Sequence, residues 1–434
     1  MGTGTTGNER RGASSPFTSG GMFGTLLPMK NKLMILLAAG LVLAGCVEEA
    51  DKQPASSNTT YARDAIQKYI DSGELPGAIS ILYKDGVQET ACLGYSDVAK
   101  KRPIRLNDAF MQCSQTKGFC GVTVAMLVEE GKVNLDDPVS KYLPEFKTLW
   151  VKTAQKDGTV LLTKAKNVLT VRMVMNHTGG FPFEIPAKQG AIPGGGWSGG
   201  MPIRSVAATA AAMPLLFEPG TKMQYSNTGI DIGAAVVETV TGKKWDVFLK
   251  ERVLDPLGMK ESSFKPTDAQ LAHQIEMYTV QDKQPAKYQS YAAMQQRPYN
   301  DDHVFPSAGA GLWTTAADQY KFYKMLMNLG VGDNGVRILK EETVRTLLAT
   351  SSRDKKFGGY SLGLAVSGDG WFGHGGAWGT NCMVNPDKKQ LKLWVVQLTG
   401  KFRPWDSVRG KMMDTFFQAK LDNSAADAYT GRVK

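Results

Sequence analysis

Residues 110–131 read FMQCSQTKGFCGVTVAMLVEEG and form the most informative segment of the 434-residue chain. Apolar residues recur there at the spacing of a helix, at Val122, Ala125 and Val128. Gly131 can end such a helix, because glycine readily adopts the left-handed conformation of a C-terminal cap. The segment therefore predicts a helix that has Ser114 and Lys117 at its start.

Ser114 and Lys117 lie three residues apart, so one helical turn places both side chains on the same face. A hydroxyl at the positive end of a helix, beside an amine that can take its proton, has the arrangement that a nucleophile requires. The S-x-x-K pattern is not specific by itself, because a capping serine followed by a solvated lysine has the same spacing. A catalytic role for this pair depends on the rest of the chain.

Two further short motifs contain residues that could take part in acyl transfer. YSN at 225–227 lies on a loop before a helical run, where a phenol can relay a proton and an amide can hold a substrate carbonyl. GHGGA at 373–377 leads into an expected strand, where small residues let a substrate approach and backbone N–H groups can face an oxyanion. Taken singly, the first also suits a polar turn and the second a glycine-rich turn.

Expected strands cluster near both ends of the chain. At the N-terminal end they lie at 78–83 and 87–95, around a Lys-Asp-Gly turn that is typical of a hairpin. At the C-terminal end they lie at 361–366, 379–384 and 391–398. Helices are expected at 61–71 and 404–420. The middle is mostly helical and glycine-rich, so we expect one sheet assembled from both ends with a helical region inserted between them.

The N-terminal region predicts export. A basic start at 29–32 precedes Leu33–Leu43, an apolar run that is shorter than the ~20 residues of a membrane span and suits a signal peptide. The run ends in Leu-Ala-Gly-Cys at 43–46, which looks like a bacterial lipobox with Cys46 as the lipidated first residue. An ordinary secretory signal and an uncleaved anchor are the alternatives.

We therefore expect a lipoprotein signal peptide at 29–45, a flexible tether at 46–60, a globular domain at 61–420 and a tail at 421–434. Residues 1–28 lack apolar periodicity and precede a signal with its own Met, so we do not expect them in the native protein. The expected location is the bacterial cell envelope, with a lipid on Cys46 holding the chain at the membrane, facing the periplasm or the cell exterior.

Composition excludes several classes of protein. Hydrophobic residues make up 42% of the chain and charged residues 21%, which is typical of a globular protein. The net charge is +10, but the basic residues form short scattered groups, so nucleic acid is not an expected partner. The histidines lie far apart and no C-x-x-C pair occurs, so we expect no metal and no other cofactor. Free thiols are expected at Cys92, Cys113, Cys120 and Cys382.

In this order and spacing, SQTK, YSN and HGG resemble the three active-site motifs of the serine β-lactamase and penicillin-binding-protein superfamily. The branch that they resemble holds class C β-lactamases, D-alanyl-D-alanine carboxypeptidases, D-aminopeptidases and esterases. Further similar stretches lie at 127–139, 170–180, 254–259 and 308–318. The resemblance implies an α/β fold of the α+β sandwich type, with flanking helices. Its antiparallel sheet would come from about 61–105 and 300–420, with a mostly helical insertion at about 106–299.

The resemblance also implies a role for each matching residue. Ser114 would be the acylated nucleophile, and Lys117 its proton acceptor or electrostatic activator. Tyr225, with a lowered pKa, would relay protons to the leaving group and to the deacylating water. Asn227 would bind either the substrate amide or Lys117. The backbone N–H groups of Ser114 and Ala377 would hold the oxyanion in a two-step acyl transfer without metal.

The third motif departs from the class C pattern, which has Lys-Thr-Gly there. His374 stands in place of that lysine and is largely neutral at pH 7 when unperturbed, which disfavours binding of a β-lactam carboxylate. With Gly376 and Ala377 it would line the substrate site in the manner of peptidases and esterases of the family. Gly118 is also unusual, because glycine inside a helix costs about 1 kcal/mol relative to alanine.

Three other features offer competing interpretations. His177 could serve as a triad base, but the family resemblance implies a loop-fixing role. Ser198 and Ser361 each lie in a G-x-S-x-G match, yet neither has the strand before it and the helix after it that a nucleophile elbow needs. The glycine-rich segment 189–201 is equally compatible with a mobile rim of the cleft and with a surface insertion.

We expect a serine hydrolase that acts on an ester or a peptide-like amide through an acyl-enzyme on Ser114. The alternatives are a β-lactamase that hydrolyses β-lactam antibiotics and a poorly active penicillin-binding-like lipoprotein that binds cell-wall peptides. The expected partner is a small-molecule ester, amide or peptide, and the oligomeric state is left open.

Overall fold

The structure is a computed structural model that describes residues 60–185, 201–280, 288–290, 305–349, 351–354, 358–399 and 405–419. The expected signal peptide, Cys46, the tether up to residue 59, Ser198 and the tail 421–434 lie outside the described residues. None of the described helices is both long and apolar enough to cross a membrane.

The elements are numbered here in chain order. The first are α1 (Tyr61–Asp71), β1 (Gly77–Lys84), β2 (Val87–Asp97), β3 (Arg102–Pro103), β4 (Phe110–Met111), α2 (Thr116–Glu129), β5 (Trp150–Ala154), β6 (Val160–Lys164) and α3 (Val171–Met175). The middle ones are α4 (Ile203–Ala212), α5 (Asn227–Thr241), α6 (Trp245–Leu249), α7 (Asp268–Ala272), β7 (Tyr278–Val280) and β8 (Tyr288–Ser290). The last are β9 (Trp313–Thr314), α8 (Ala316–Met327), α9 (Glu341–Leu348), β10 (Ser352–Asp354), β11 (Gly358–Tyr360), β12 (Ala365–Val366), β13 (Phe372–Gly375), β14 (Asn381–Asn385), β15 (Gln390–Val395), β16 (Leu398–Thr399) and α10 (Trp405–Gln418).

A nine-stranded sheet lies at the centre of the fold, in the order β10-β11-β12-β13-β14-β15-β1-β2-β3. Every neighbouring pair in it is antiparallel. The two ends of the chain meet where β1 pairs with β15, with Ile79 opposite Val395 and Lys84 opposite Gln390. The expected fold class, an antiparallel sheet built from both chain ends, is confirmed.

Strand β1 divides its side chains between two cores because successive side chains of a strand point to opposite faces. Ile79 and Ile81 join the large core beneath the helical region. Ala78 and Leu82 join a second core under α1 and α10. The expected helix at 61–71 is confirmed in full, and the expected turn between β1 and β2 has Asp85 at φ 51° and Gly86 at φ 89°.

Helix α2 lies between the sheet and α5 and is buried from Thr116 to Leu127. Its glycines explain how it packs so closely. A Cβ on Gly121 would lie 2.0 Å from the carbonyl oxygen of Leu362, and one on Gly118 would lie 2.8 Å from Cδ2 of Leu364. The unusual Gly118 therefore lets the helix pack closely against the chain segment that follows β11.

Two sequence expectations differ from the structure. The strand expected at 361–366 forms only at its end, as β12, because the chain bends at Gly363, whose φ is 72°. A Cβ on Gly363 would lie 2.2 Å from the carbonyl oxygen of Lys117, so the bend is what fits this segment against α2. The strand expected at 391–398 likewise ends at Val395 and resumes as β16. The helical region also carries β5 and β6, which form a separate antiparallel hairpin.

Candidate active site

Ser114 lies in a single 3-10 turn, Cys113–Gln115, that comes directly before α2. Cys113 has φ 51°, a left-handed conformation that non-glycine residues rarely adopt and that is common at functional sites. The hydroxyl of Thr116 fixes the turn, because it donates to the carbonyl of Cys113 at 2.7 Å and accepts from the N–H of Leu312 at 3.2 Å. Ser114 is thus held at the N-terminus of a long buried helix.

Lys117 is fully buried, and its Nζ has two acceptors. It donates to Oδ1 of Asn227 at 2.5 Å and to the carbonyl oxygen of Gly309 at 2.6 Å. Burial lowers the pKa of Lys117 to about 7, while the nearby carboxyl of Asp231 opposes this shift. In its neutral form the amine can give its two hydrogens to these acceptors and keep its lone pair for a proton from another group.

Asn227 is the first residue of α5, and Ser226 caps the helix by accepting from the N–H of Gly229 at 3.0 Å. The carboxamide of Asn227 is engaged at both ends, because its Nδ2 donates to Oε1 of Glu184 at 3.1 Å while its Oδ1 binds Lys117. Of the two expected roles for Asn227, the geometry favours the one in which it binds Lys117.

Tyr225 contacts the nucleophile directly. Its hydroxyl is hydrogen-bonded to the side chain of Ser114 and lies 3.4 Å from Nε2 of His374. Nζ of Lys117 lies 4.6 Å from the centre of its ring. The expected lowering of the Tyr225 pKa is wrong: burial raises it, and this outweighs the hydrogen bond from Ser114. Tyr225 therefore stays a protonated phenol at neutral pH.

His374 lies on β13 and is almost completely buried. Its Nδ1 lies 2.6 Å from the carbonyl oxygen of Gly375, which can only accept, so Nδ1 carries the hydrogen. Nε2 is then an acceptor and faces the hydroxyl of Tyr360 at 2.9 Å. Burial, with a smaller effect of Lys117, lowers the pKa of His374 to about 3, so the ring is neutral in this tautomer.

Gly376 and Ala377 follow in a tight turn. The N–H of Gly376 donates to the carbonyl of Thr380 at 2.7 Å. A Cβ on Gly376 would lie 2.5 Å from the carbonyl oxygen of Gln112, so glycine lets this turn rest on the chain just before Ser114. The structure thus brings all three motifs together, and the oxyanion role of Ala377 stays a prediction.

Two side chains at the site carry no motif and were missed in the sequence. Asp231 lies one turn after Asn227 and accepts from the N–H of Gly309 at 3.1 Å and from the hydroxyl of Ser307 at 3.3 Å. Burial raises the pKa of Asp231 to about 7. Tyr360, the donor to His374, is also fully buried. The only signal for Asp231 was a lone carboxylate inside the apolar run IDIGAAVV.

His177 has the contacts of a residue that fixes a loop. Its φ is 66°, its Nδ1 accepts from the N–H of Ser226 at 3.3 Å, and its carbonyl accepts from the N–H of Gln224 at 2.9 Å. The ring packs between Tyr225 and Tyr360, at 4.6 and 4.4 Å between centres. Burial lowers its pKa well below the usual value, which disfavours a role as a general base.

Ser361 lies at the bend between β11 and β12, and its N–H donates to the carbonyl of Leu364 at 2.8 Å. A strand follows it where a nucleophile elbow requires a helix. Among the described residues, no group of three or more His, Cys, Asp and Glu side chains is arranged to hold a metal ion.

A large antiparallel sheet with a Ser-Lys pair at the start of a buried helix, facing a Tyr and a His-Gly-Gly strand, defines the class of serine β-lactamases and penicillin-binding proteins. A family model described as Beta-lactamase matches residues 62–412. The chain therefore belongs to the β-lactamase family.

Relatives and solved structures agree with this placement. Protein Rv1367c of Mycobacterium tuberculosis is 25% identical over 372 residues, which cover 77% of this chain and 88% of that protein. A mutant of simvastatin synthase (LovD) from Aspergillus terreus is similar with a TM-score of 0.66 and 20% identity, over 84% of this chain and 98% of that one. EstCE1, a hydrolase with promiscuous acyltransferase activity, is similar with a TM-score of 0.65 and 20% identity, over 82% of this chain and 97% of that one.

Proposed function

We propose that the protein is a metal-independent serine hydrolase that cleaves an ester or a peptide-like amide through an acyl-enzyme on Ser114. The observation that carries the proposal is the state of Lys117, a buried amine with a pKa near 7 that is held by Asn227 and Gly309. An amine in this state can accept a proton at neutral pH, which an ordinary lysine does not do.

In the proposed reaction, Oγ of Ser114 attacks the substrate carbonyl and its proton passes to Lys117, either directly or through the hydroxyl of Tyr225. The N–H groups of Ser114 and Ala377 hold the oxyanion. Tyr225 donates its proton to the leaving group and regains one from Lys117. Water then attacks the acyl-enzyme, its proton returns through the same pair of residues, and Ser114 recovers its hydrogen.

The electrostatics of the site favour substrates without a carboxylate near the reacting carbonyl. Neutral His374 stands where class C β-lactamases have a cation, and Glu184 adds an acidic group beside Asn227. We therefore propose a carboxylesterase type of activity, or a D-peptidase type on peptides without a free carboxylate beside the scissile amide, in preference to β-lactam hydrolysis. The name of EstCE1 describes a hydrolase with acyltransferase activity, which is compatible with this choice.

A second candidate is a protein that is acylated but turns over slowly, and so acts by binding cell-wall peptides. The raised pKa of Tyr225 favours it, because a protonated phenol cannot itself activate the deacylating water. The two candidates differ in the lifetime of the acyl-enzyme and not in the nucleophile.

The test is labelling with a fluorescent fluorophosphonate, followed by turnover of a p-nitrophenyl ester, a chromogenic cephalosporin and a D-Ala-D-Ala peptide. We expect Ser114→Ala to lose the label and Ser361→Ala, the matched control, to keep it. Label on Ser361 would overturn the assignment of the nucleophile. Preference for the cephalosporin would overturn the argument from His374. Stable label without turnover of any substrate would favour the binding protein.

We also propose that the chain is a lipoprotein of the bacterial cell envelope, anchored through Cys46. The lipobox at 43–46 supports this proposal. Its test is processing in cells treated with globomycin, with Cys46→Ser as the control. We expect the unprocessed form to accumulate both with globomycin and in Cys46→Ser. Processing that globomycin does not inhibit would contradict the anchor.

A further inference from the structure

The β5–β6 hairpin exposes an unusual amount of apolar surface. Trp150, Val160, Leu161 and Leu162 keep 47%, 57%, 50% and 48% of their surface accessible. Every residue of β6 is exposed. Scattered exposed apolar residues are ordinary, but a contiguous group of this kind marks an interaction surface.

One face of the hairpin combines these apolar residues with cations. The cross-strand pairs Trp150–Lys164, Lys152–Leu162 and Ala154–Val160 share a face, because opposed residues of an antiparallel ladder point the same way. The neighbouring position Val151 points to the opposite face and is buried in the main core. Val151 thus anchors the hairpin, while every other residue of β5 and β6 is exposed to solvent.

The charge around this face is positive. Lys152 and Lys164 lie on the face itself, and three more exposed lysines lie beside the two strands in the sequence, namely Lys147, Lys156 and Lys166. Within the part of the chain that the structure describes, none of the five forms a side-chain ion pair. The acidic groups near these lysines are Asp157 in the hairpin turn, Glu145, which pairs with Arg204, and Glu218, which accepts from the backbone N–H of Lys166 at 3.0 Å. Unpaired lysines around an apolar centre are complementary to an anionic surface.

We propose that the face formed by Trp150, Lys152, Val160, Leu162 and Lys164 docks on an anionic lipid bilayer. The tryptophan ring and the leucine side chain would enter the boundary between headgroups and acyl chains, where amphipathic aromatic rings are favoured. The lysines would lie among the anionic headgroups. A second copy of the chain fits this face less well, because a symmetric contact would bring Lys152 and Lys164 of both copies together.

The hairpin is joined to the loops of the active site by backbone hydrogen bonds. The N–H of Lys152 donates to the carbonyl of Leu215 at 2.9 Å, and the N–H of Leu216 donates to the carbonyl of Gly180 at 2.8 Å. Gly180 follows the His177 loop, which packs against Tyr225. Docking at the hairpin would therefore hold a segment that is hydrogen-bonded to the loops beside the substrate site.

The test measures contact with lipid and not retention on vesicles, because the apolar run Leu33–Leu43 can hold every variant on a membrane. Tryptophan fluorescence of the full chain is recorded with vesicles of brominated phosphatidylglycerol and with brominated phosphatidylcholine. We expect bromine quenching with the anionic vesicles, and loss of most of it in Trp150→Phe. The quenching from Trp150 should weaken with salt and be absent with phosphatidylcholine.

A matched pair of variants locates the contact. Leu162→Glu should reduce the quenching of Trp150, whereas Val247→Glu, at a position of similar exposure on α6, should not. Equal quenching of wild type and Trp150→Phe on anionic vesicles would overturn the proposal. So would a lipid-free dimer that Leu162→Glu dissociates, because the face would then be an interface between copies of the chain.

Discussion

The residues around Ser114 form two groups that hold protons in different ways, the Lys117 side with Lys117 and Asp231 and the Tyr225 side with Tyr225 and His374. On one side, Lys117 and Asp231 are buried ionisable groups whose pKa values both lie at about 7. On the other side, burial keeps Tyr225 and His374 neutral over a wide range around pH 7. We therefore expect the pH dependence of the reaction near neutrality to come from the Lys117 side. The Tyr225 side supplies hydrogen-bond donors and acceptors whose charge does not change in this pH range.

The strongest test of this division is Lys117→Ala. It removes the acceptor that titrates near neutral pH, and we expect the rate of acylation to fall by on the order of 10⁴-fold. The measurement is the rate of p-nitrophenol release from an ester before steady state. Lys324→Ala is the matched control, because burial also lowers the pKa of Lys324, to about 8, and it lies on α8 beside Tyr83, outside the site. An equal loss in both variants would show that Lys117 acts only through folding.

Tyr225→Phe tests the neutral side. The variant keeps the ring over Lys117 but loses the hydrogen bond to Ser114, so we expect kcat/KM to fall by roughly 10²- to 10³-fold. The pH at which activity rises should not move, because the titrating group is still present. Tyr278→Phe, which removes another buried hydroxyl that binds the N–H of Val98, is the control. A shift of the pH profile with Tyr225→Phe would mean that the phenol itself titrates near neutrality.

The sequence predicted one side of this comparison better than the other. The motifs located Ser114, Lys117 and Asn227, and spacing alone placed the first two on one turn. The family resemblance implied a lowered pKa for Tyr225, and neither the motif nor its spacing reveals the burial that raises this pKa instead.

The residues that the sequence missed have one property in common. Neither Asp231 nor Tyr360 belongs to any of the three motifs, and each is explained by a partner that only the fold supplies. Asp231 accepts a hydrogen bond from Gly309, which lies 78 residues further along the chain. The alternation that predicted a strand at 361–366 also could not reveal that Gly363 bends the chain around the carbonyl of Lys117.

Asp231→Asn tests the Lys117 side without removing Lys117 itself. The Asp231 carboxylate attracts the ammonium group and raises the pKa of Lys117, so its loss lets burial lower that pKa further. The neutral amine then persists at lower pH, and we expect the acidic limb of kcat/KM to move down by on the order of one pH unit. Asp318→Asn, at a buried carboxylate that binds Ser262, is the control. A limb that stays in place or moves up would contradict Lys117 as the titrating base.

Tyr360→Phe has the smallest expected effect and separates positioning from chemistry on the neutral side. Tyr360 donates to Nε2 of His374 at 2.9 Å, and without it that nitrogen keeps only the longer contact of 3.4 Å with Tyr225. Loss of one buried hydrogen bond costs about 1 kcal/mol, which corresponds to roughly a fivefold fall in kcat/KM. The nitrogen chemical shift of Nε2 of His374 should move in the variant, because Nε2 loses a hydrogen bond while Nδ1 keeps its hydrogen against the carbonyl of Gly375. A purely structural role for Tyr360 would not produce this change. Tyr142→Phe, which removes a hydroxyl bound to Asp137 outside the site, should leave those shifts and the activity unchanged. If the activity falls while the chemical shift of Nε2 does not change, Tyr360 acts through the shape of the site and not through His374.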